Sequence, residues 1–367
     1  MKFSIQREEI LKPLSLVSGV VEKRQTLPIL SNVLVDLNED TMRIVATDLE
    51  MEVIARCKAD YSVPGKITVP MRKLQDTCKT LPEESLVQFE LKEDRAILKS
   101  GKTRFTLTTL PADDFPVIST KEPLYEFEIS QGVLKNLVEK TSFAMAVQDV
   151  RFYLNGLLLE LEDKSIKCVA TDGHRLALCS AEAPNIHLDE KIQAIIPRKA
   201  VAELTRLLDS AEKSVKVTLG ENFLRLDFDG LEFTTKLIDG KYPNYQGVIP
   251  TQGNNIVTAE KDSIRQCLIR TSILSNEKYR GIRLDIEQGV LNAVANNPEQ
   301  EEAIDEIVVE YNGEPLTIGF NVNYLLEAVT AVPGDEVKIA LSDSNGSALI
   351  TAHNDSNCCY VVMPMRL

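Results

Sequence analysis

Residues Ile29–Asp48 read ILSNVLVDLNEDTMRIVATD, and Tyr153–Asp172 read YLNGLLLELEDKSIKCVATD. The two align without a gap at an offset of 124, and a further offset of 125 reaches Tyr279–Asn297, YRGIRLDIEQGVLNAVANN. Each copy is an alternating apolar run, a turn cluster of Asn, Glu, Asp, Gly or Lys, and a second apolar run, which is the pattern of a β-hairpin. Three collinear copies mean that one structural unit is used three times.

Working outward from the hairpins, the same order of elements recurs. A helix is expected ahead of each hairpin, at Arg7–Val21, Gln131–Ala144 and Lys261–Leu274, and a shorter amphipathic one after it, at Met71–Thr80, Arg198–Asp209 and Val322–Ala331. Strand runs then close each unit: Phe105–Leu110 before Phe115-Pro116, Phe233–Ile238 before Tyr242-Pro243, and Tyr360–Val362 before Met363-Pro364. The stretches Ile118–Tyr125 and Gly247–Asn255, with Pro, Gly, Thr and Asn, read as linkers. The expected organisation is α+β, with domains at 1–120, 125–248 and 253–367.

Composition limits the function classes. The chain has 367 residues, more than one hydrophobic core usually serves. Its 44% hydrophobic and 26% charged residues suit a soluble globular protein, and no run is long and apolar enough to span a membrane. The charged start Met1-Lys2-Phe3-Ser4-Ile5-Gln6-Arg7-Glu8-Glu9 lacks a signal-peptide core, so a cytoplasmic location is expected. Seven cysteines without a C-x-x-C pair suggest neither zinc nor a disulfide framework, and three histidines lack helical metal spacing. No cofactor motif is present. The net charge of −14 argues against indiscriminate nucleic-acid coating. The charge is uneven, however: the segments Arg7–Arg24, Met71–Thr80, Gln131–Ser142, Arg198–Asp209, Glu260–Lys278 and Asn321–Ala331 carry 16 Lys and Arg against 11 Asp and Glu, whereas the remainder carries 25 against 44. A cationic helical layer on an acidic body is one reading; a solvated set of helix faces is the other.

The motifs TDLEMEV (47–53), QDVRFYLNG (148–156), TDGHRLA (171–177), ILSNEKYRG (273–281), NNPEQEEA (296–303) and VVMPMRL (361–367), set in a three-fold repeat, closely resemble the bacterial sliding-clamp family, the β subunits of DNA polymerase III. The resemblance runs from Met1 to Leu367. It implies three repeated domains of the DNA-clamp fold, two chains closing head to tail into a homodimeric ring around duplex DNA, helices on the inner face and β-sheets outside. It also implies a processivity factor with no catalytic constellation of its own. Polymerases and the clamp loader would dock through linear peptide motifs, in an apolar pocket between the second and third domains.

Carried over residue by residue, the resemblance names three sets. Leu154, Thr171, Gly173, His174, Arg175, Leu176, Pro243, Val248, Val361, Val362, Met363, Pro364 and Met365 match the peptide pocket, and adaptable methionines suit such a site. Arg24, Arg72, Gln148, Arg151, Phe152, Tyr153 and Arg198 match positions expected at DNA phosphates, though several would serve equally as solvated helix faces. Lys73, Phe105, Leu107, Ile273 and Leu274 match the subunit boundary; Phe105, Leu107, Ile273 and Leu274 would otherwise read as core. Two departures stand out: Gly247 replaces a basic residue frequent in the family, and Phe152 lacks a hydroxyl. The C-terminal Met and Pro residues read as unstructured and solvent-directed. The acidic run Glu299–Glu306 reads as a solvated face or a partner for Lys73, Lys102 and Arg104 of a second chain. Two rival readings remain open from the residues alone. One is an enzyme using Asp172 and His174 as an acid–base pair, where Thr171–Leu176 otherwise reads as a structural turn, and the other is a protein-interaction scaffold without a DNA role.

Overall fold

The computed structural model describes residues 1–21, 27–39, 41–120, 122–209, 212–251, 253–355 and 357–366. Arg24, named above for DNA contact, lies outside them. Six α-helices occur among the described residues: α1 Arg7–Val17, α2 Met71–Thr80, α3 Gln131–Glu139, α4 Arg198–Leu207, α5 Lys261–Ser272 and α6 Val322–Ala331. The bounds of α2 and α6 coincide with those expected; the other four stop early. Helix α1 ends before Gly19 because other groups take its last carbonyls: Ser18 Oγ donates to Ser15 O at 2.7 Å, and Arg206 donates to Ser15 O at 3.3 Å and to Leu16 O. In α3 the Thr141 hydroxyl turns back to Leu137 O at 2.6 Å, and a short 3-10 turn, Ser142–Ala144, follows.

The strands sort into two compact units, Met1–Gly132 with Ala202–Leu237, and Val133–Val201 with Ile238–Leu367. The units cut through the middle repeat. In the first, an eight-stranded antiparallel sheet runs in the order Pro123–Ser130, Ser214–Gly220, Phe223–Phe228, Leu231–Lys236, Met51–Lys58, Thr41–Thr47, Asn32–Asn38, Gly65–Pro70. Phe233 of the middle repeat stands opposite Val53 of the first. The second unit repeats the scheme: Ile192–Pro197, Gly156–Glu162, Ser165–Thr171, Arg175–Glu182, Cys358–Val362, Ala348–Ala352, Glu336–Leu341, Asn255–Glu260, with Leu176 opposite Val361. A five-stranded sheet completes the first unit and a four-stranded sheet the second. The three quoted repeats form the hairpins Asn32–Asn38/Thr41–Thr47, Gly156–Glu162/Ser165–Thr171 and Gly281–Glu287/Val290–Asn296.

Apolar faces meet where the spacing requires. Helix α1 buries Ile10, Leu14 and Val17 against strand Met51–Lys58, each such side chain being worth roughly 1.5–3 kcal/mol. Helix α6 packs against α5, and its C-terminal end receives two ammonium groups: Lys140 Nζ donates to Ala331 O and Lys261 Nζ to Val332 O, both at 2.6 Å. Cations there complement the helix dipole. Cys179 and Cys358 are direct cross-strand partners with Cα atoms 4.0 Å apart, a proximity that spacing rules for cysteine pairs miss because 179 residues separate the two in sequence.

Candidate functional site

Strand Ser165–Thr171 of the second unit leads into a tight turn that its own side chains hold. Thr171 Oγ1 accepts the Gly173 N–H at 3.1 Å and donates to Arg175 O at 2.6 Å. Asp172 Oδ1 accepts the N–H groups of His174 at 2.9 Å and Arg175 at 3.0 Å. Gly173 has φ +89°, and a side chain on it would meet the Arg151 guanidinium at 3.2 Å. With its carboxylate occupied by two backbone amides and the Arg175 guanidinium at 3.2 Å, Asp172 is a turn residue rather than half of an acid–base pair.

The turn forms the rim of a cavity of about 180 Å³. Leu154, Leu176 and Val361, all buried, line it together with Pro243, half-exposed Val248 and Met363. Behind lies a core of Leu158, Val169, Leu176, Ile195, Tyr242, Tyr245 and Val361. Two arginines border the cavity, and acids already engage both. Arg151 donates to Asp149 from Nε at 3.0 Å and from Nη2 at 2.8 Å, and these bonds, with the Arg151 N–H, draw the Asp149 carboxyl down to about 2. Arg175 lies 4.4 Å from the Tyr324 ring centroid and 5.5 Å from that of Phe143, and it is bonded to Asp172 and Glu327. The interior is therefore apolar with a locally neutralised rim, suited to aliphatic or aromatic anchors on an extended ligand.

Of the thirteen residues matched to a peptide pocket, Leu154, Thr171, Gly173, His174, Arg175, Leu176, Pro243, Val248, Val361 and Met363 line this cavity. Val362 is buried in the sheet, and Met365 lines a second cavity of about 690 Å³ with Tyr279, Asn296 and Arg366. Pro364 lies between Met363 and Met365. The tail is not unstructured: Met363 N–H donates to His174 O at 2.9 Å and Met365 N–H to Gly319 O at 2.8 Å. Those bonds are available because strand Cys358–Val362 already runs beside Arg175–Glu182.

The residues matched to DNA contact separate. Arg151 and Tyr153 line the apolar cavity. Gln148, in left-handed backbone at φ +55°, and Phe152, 74% exposed, lie on the loop before it. Arg198 supports that loop by donating to Met145 O at 2.9 Å, and Arg72 is exposed on α2 of the first unit. Among the residues matched to a subunit boundary, Lys73 is exposed, Phe105 half-buried and Leu107 buried on the edge strand Thr103–Thr108. Ile273, just past α5, is 73% exposed, and Leu274 is half-buried. Within the acidic run, Asp305 already pairs with Arg270 at 2.6 Å.

Sequence reading missed Tyr242, Tyr245, Glu160 and Glu327. Glu160 was detectable: it is the lone charge in the strand centre Leu157–Leu161.

Comparison with known proteins covers the whole chain. Residues 1–119, 128–244 and 246–366 match the N-terminal, central and C-terminal domain models of the DNA polymerase III beta subunit. A Pseudomonas aeruginosa protein named beta sliding clamp is 50% identical over 368 aligned residues, covering all of both chains. A crystal structure of the DNA polymerase III subunit beta from the same organism superposes with a TM-score of 0.98 at 49% identity, again over both entire chains. A third match, a P. aeruginosa sliding clamp bound to griselimycin, has a TM-score of 0.97 at 49% identity and full coverage of both chains.

Proposed function

From its membership of the DNA polymerase III beta subunit family, this chain is a DNA sliding clamp, a non-catalytic factor of DNA replication built from three clamp domains, and we propose how its surfaces serve that role. Two copies close head to tail into a ring around duplex DNA in the cytoplasm, with domains at 1–120, 125–248 and 253–367. Lys73, Phe105 and Leu107 of one copy meet Ile273 and Leu274 of the other. Supporting this are the exposed Ile273 and two sheet edges, Thr103–Thr108 and Glu302–Val308, the latter carrying Ile304 at 63% and Val308 at 86% exposure. Unpaired edges of this kind favour pairing with another chain, and a heterologous contact closes only where the rotation allows.

Arg72 and Arg198 face the duplex and neutralise phosphates without reading bases, Gln148 and Phe152 contact the backbone beside them, and Arg24, outside the described residues, is assigned to the same set. Arg151 and Tyr153 serve the cavity instead, alongside Leu154, Thr171, Gly173, His174, Arg175, Leu176, Pro243, Val248, Val361 and Met363. Polymerases and the clamp loader seat linear peptides there. The observation that carries this reading is an apolar slot bordered by already paired charges: it rewards buried Leu or Phe anchors and adds little electrostatic grip, so partners exchange. Retention on DNA tests the tether. The protein loaded on a nicked circle should stay through gel filtration and be lost once the circle is cut; equal retention on circular and linear DNA would defeat encirclement.

A further inference from the structure

We propose that Glu160 and Tyr245 are positioning residues for the peptide pocket, holding in place the chain segment that carries Pro243 and Val248. The inference rests on the pocket reading above. After Ile238, whose N–H donates to Ile195 O at 2.9 Å, the chain leaves the sheet, and up to Ile249 its only regular element is the three-residue turn Gln246–Val248. No strand ladder holds this segment, yet it supplies one wall of the cavity. Two buried phenols fasten it. The Tyr242 hydroxyl accepts the Thr171 N–H at 3.1 Å, and the Tyr245 hydroxyl donates to Glu160 Oε1 at 2.7 Å.

Glu160 is fully buried in strand Gly156–Glu162, where an unpaired carboxylate would be costly. Its other oxygen accepts Gln193 Nε2 at 2.5 Å, and the ammonium groups of Lys191 and Lys167 lie at 3.5 and 3.8 Å. Burial alone would raise its pKa; the bonds from Tyr245 and Gln193 and the two lysines hold it below the ordinary carboxylate value instead. A satisfied network of this kind rigidifies what it touches. Val248 depends on it directly, because its N–H donates to Tyr245 O at 3.1 Å while its side chain, 50% exposed, is not fixed by burial. Without the Tyr245 hydroxyl bond, the Val248 side of the slot loses its register with Leu176 and Val361.

The test is fluorescence-anisotropy titration of the full-length protein with a fluorescein-labelled peptide carrying Leu and Phe anchors. Tyr245→Phe should weaken binding about tenfold, the loss expected for one charge-assisted hydrogen bond transmitted to the ligand. Tyr311→Phe is the control: this buried phenol, which donates to Glu314 O at 2.6 Å, is not among the pocket residues, so its removal should change affinity less than about twofold while lowering the melting temperature comparably. Glu160→Gln, which keeps an acceptor for the phenol, should bind between the unaltered protein and Glu160→Ala, and it replaces Tyr245→Phe if that variant does not fold. Removal of Met363–Leu367 separates the two levels of the argument. If the truncated protein loses the peptide while Tyr245→Phe binds normally, the positioning role is wrong and the pocket stands. Equal losses in both tyrosine variants would also overturn it, and full binding by the truncated protein would remove the pocket itself.

Discussion

The turns at 47–53 and 171–177 are nearly the same object in two places. Asp48 Oδ1 accepts the N–H groups of Glu50 at 2.9 Å and Met51 at 2.8 Å, as Asp172 does for His174 and Arg175. Thr47 Oγ1 accepts the Leu49 N–H at 3.1 Å, as Thr171 does for Gly173. The central residues share left-handed backbone, φ +78° at Leu49 and +89° at Gly173. Even the closing bond recurs, Lys236 N–H to Glu50 O at 2.8 Å against Met363 N–H to His174 O at 2.9 Å.

What surrounds the turns differs. At the position of Leu176 the first repeat has Glu52, 6% exposed, opposite Thr47 and Thr234; the Ile118 N–H bonds its carboxylate, and Oε2 has no hydrogen-bond partner among the described residues. Past Lys236, Leu237 N–H bonds Asn222 O at 3.0 Å, whereas Met363 lines the cavity. A turn of one design therefore borders an apolar slot in one unit and a buried carboxylate in the other. Local hydrogen bonding makes the turn; the side chain on the next strand position and the course of the neighbouring strand decide its use.

Copying the first turn into the second should break the comparison most forcefully. Gly173→Leu places a bulky side chain in left-handed backbone, at a cost of about 1–2 kcal/mol, where Leu49 already bears it. It also presses on Arg151, so peptide affinity should fall about tenfold or more. Thermal melting and anisotropy measured together would show both losses; unchanged affinity would mean that Arg151 is not part of the wall.

A smaller effect, of opposite sign, is expected in the first unit. Burial is the main cause raising the Glu52 pKa, with Glu232 adding to it. An acid whose folded pKa is raised destabilises the fold while ionised, and that penalty disappears as pH falls through the raised value and below the unfolded one. Glu52→Gln, which keeps an acceptor for Ile118, should therefore be more stable than the unaltered protein at neutral pH. The gain should shrink on acidification toward the ordinary carboxylate range. Chemical denaturation across that range decides it, and a gain independent of pH would assign the effect to packing.

The smallest change sharpens the view of the rim. Gly247 has open space around its Cα, so Gly247→Arg adds a cation without a clash. Affinity for an acidic peptide should rise about two- to fivefold at low salt and return to the starting value at high salt, as expected for an exposed charge pair. No gain at low salt would show that ligands do not pass this edge.

The hairpins, both helices of each repeat and the Thr-Asp turn were legible because each depends on side chains within a few residues of one another. Arg151 and Tyr153 were matched to DNA contact through the family resemblance; that both also line the cavity, with Arg151 clamped by Asp149, is a matter of side-chain geometry rather than spacing. Glu160 was visible as a charge in an apolar strand, yet its phenol partner is 85 residues away. The cross-strand pairings of Cys179 with Cys358 and of Phe233 with Val53 were invisible for the same reason. Alternating residues specify a strand and its two faces, but not which strand lies beside it.

By itself the sequence determined three copies of one unit, their order of elements, the apolar faces and the turn, since periodicity and short-range hydrogen bonds are written in consecutive residues. Only the tertiary structure decided that the middle repeat divides its strands between two sheets, that Leu176 lines an apolar slot while Glu52 at the equivalent position is a buried carboxylate, and that the C-terminal segment is bonded in place. Those outcomes depend on which distant edges pair and which side chains meet there, and equivalent local patterns permit more than one answer.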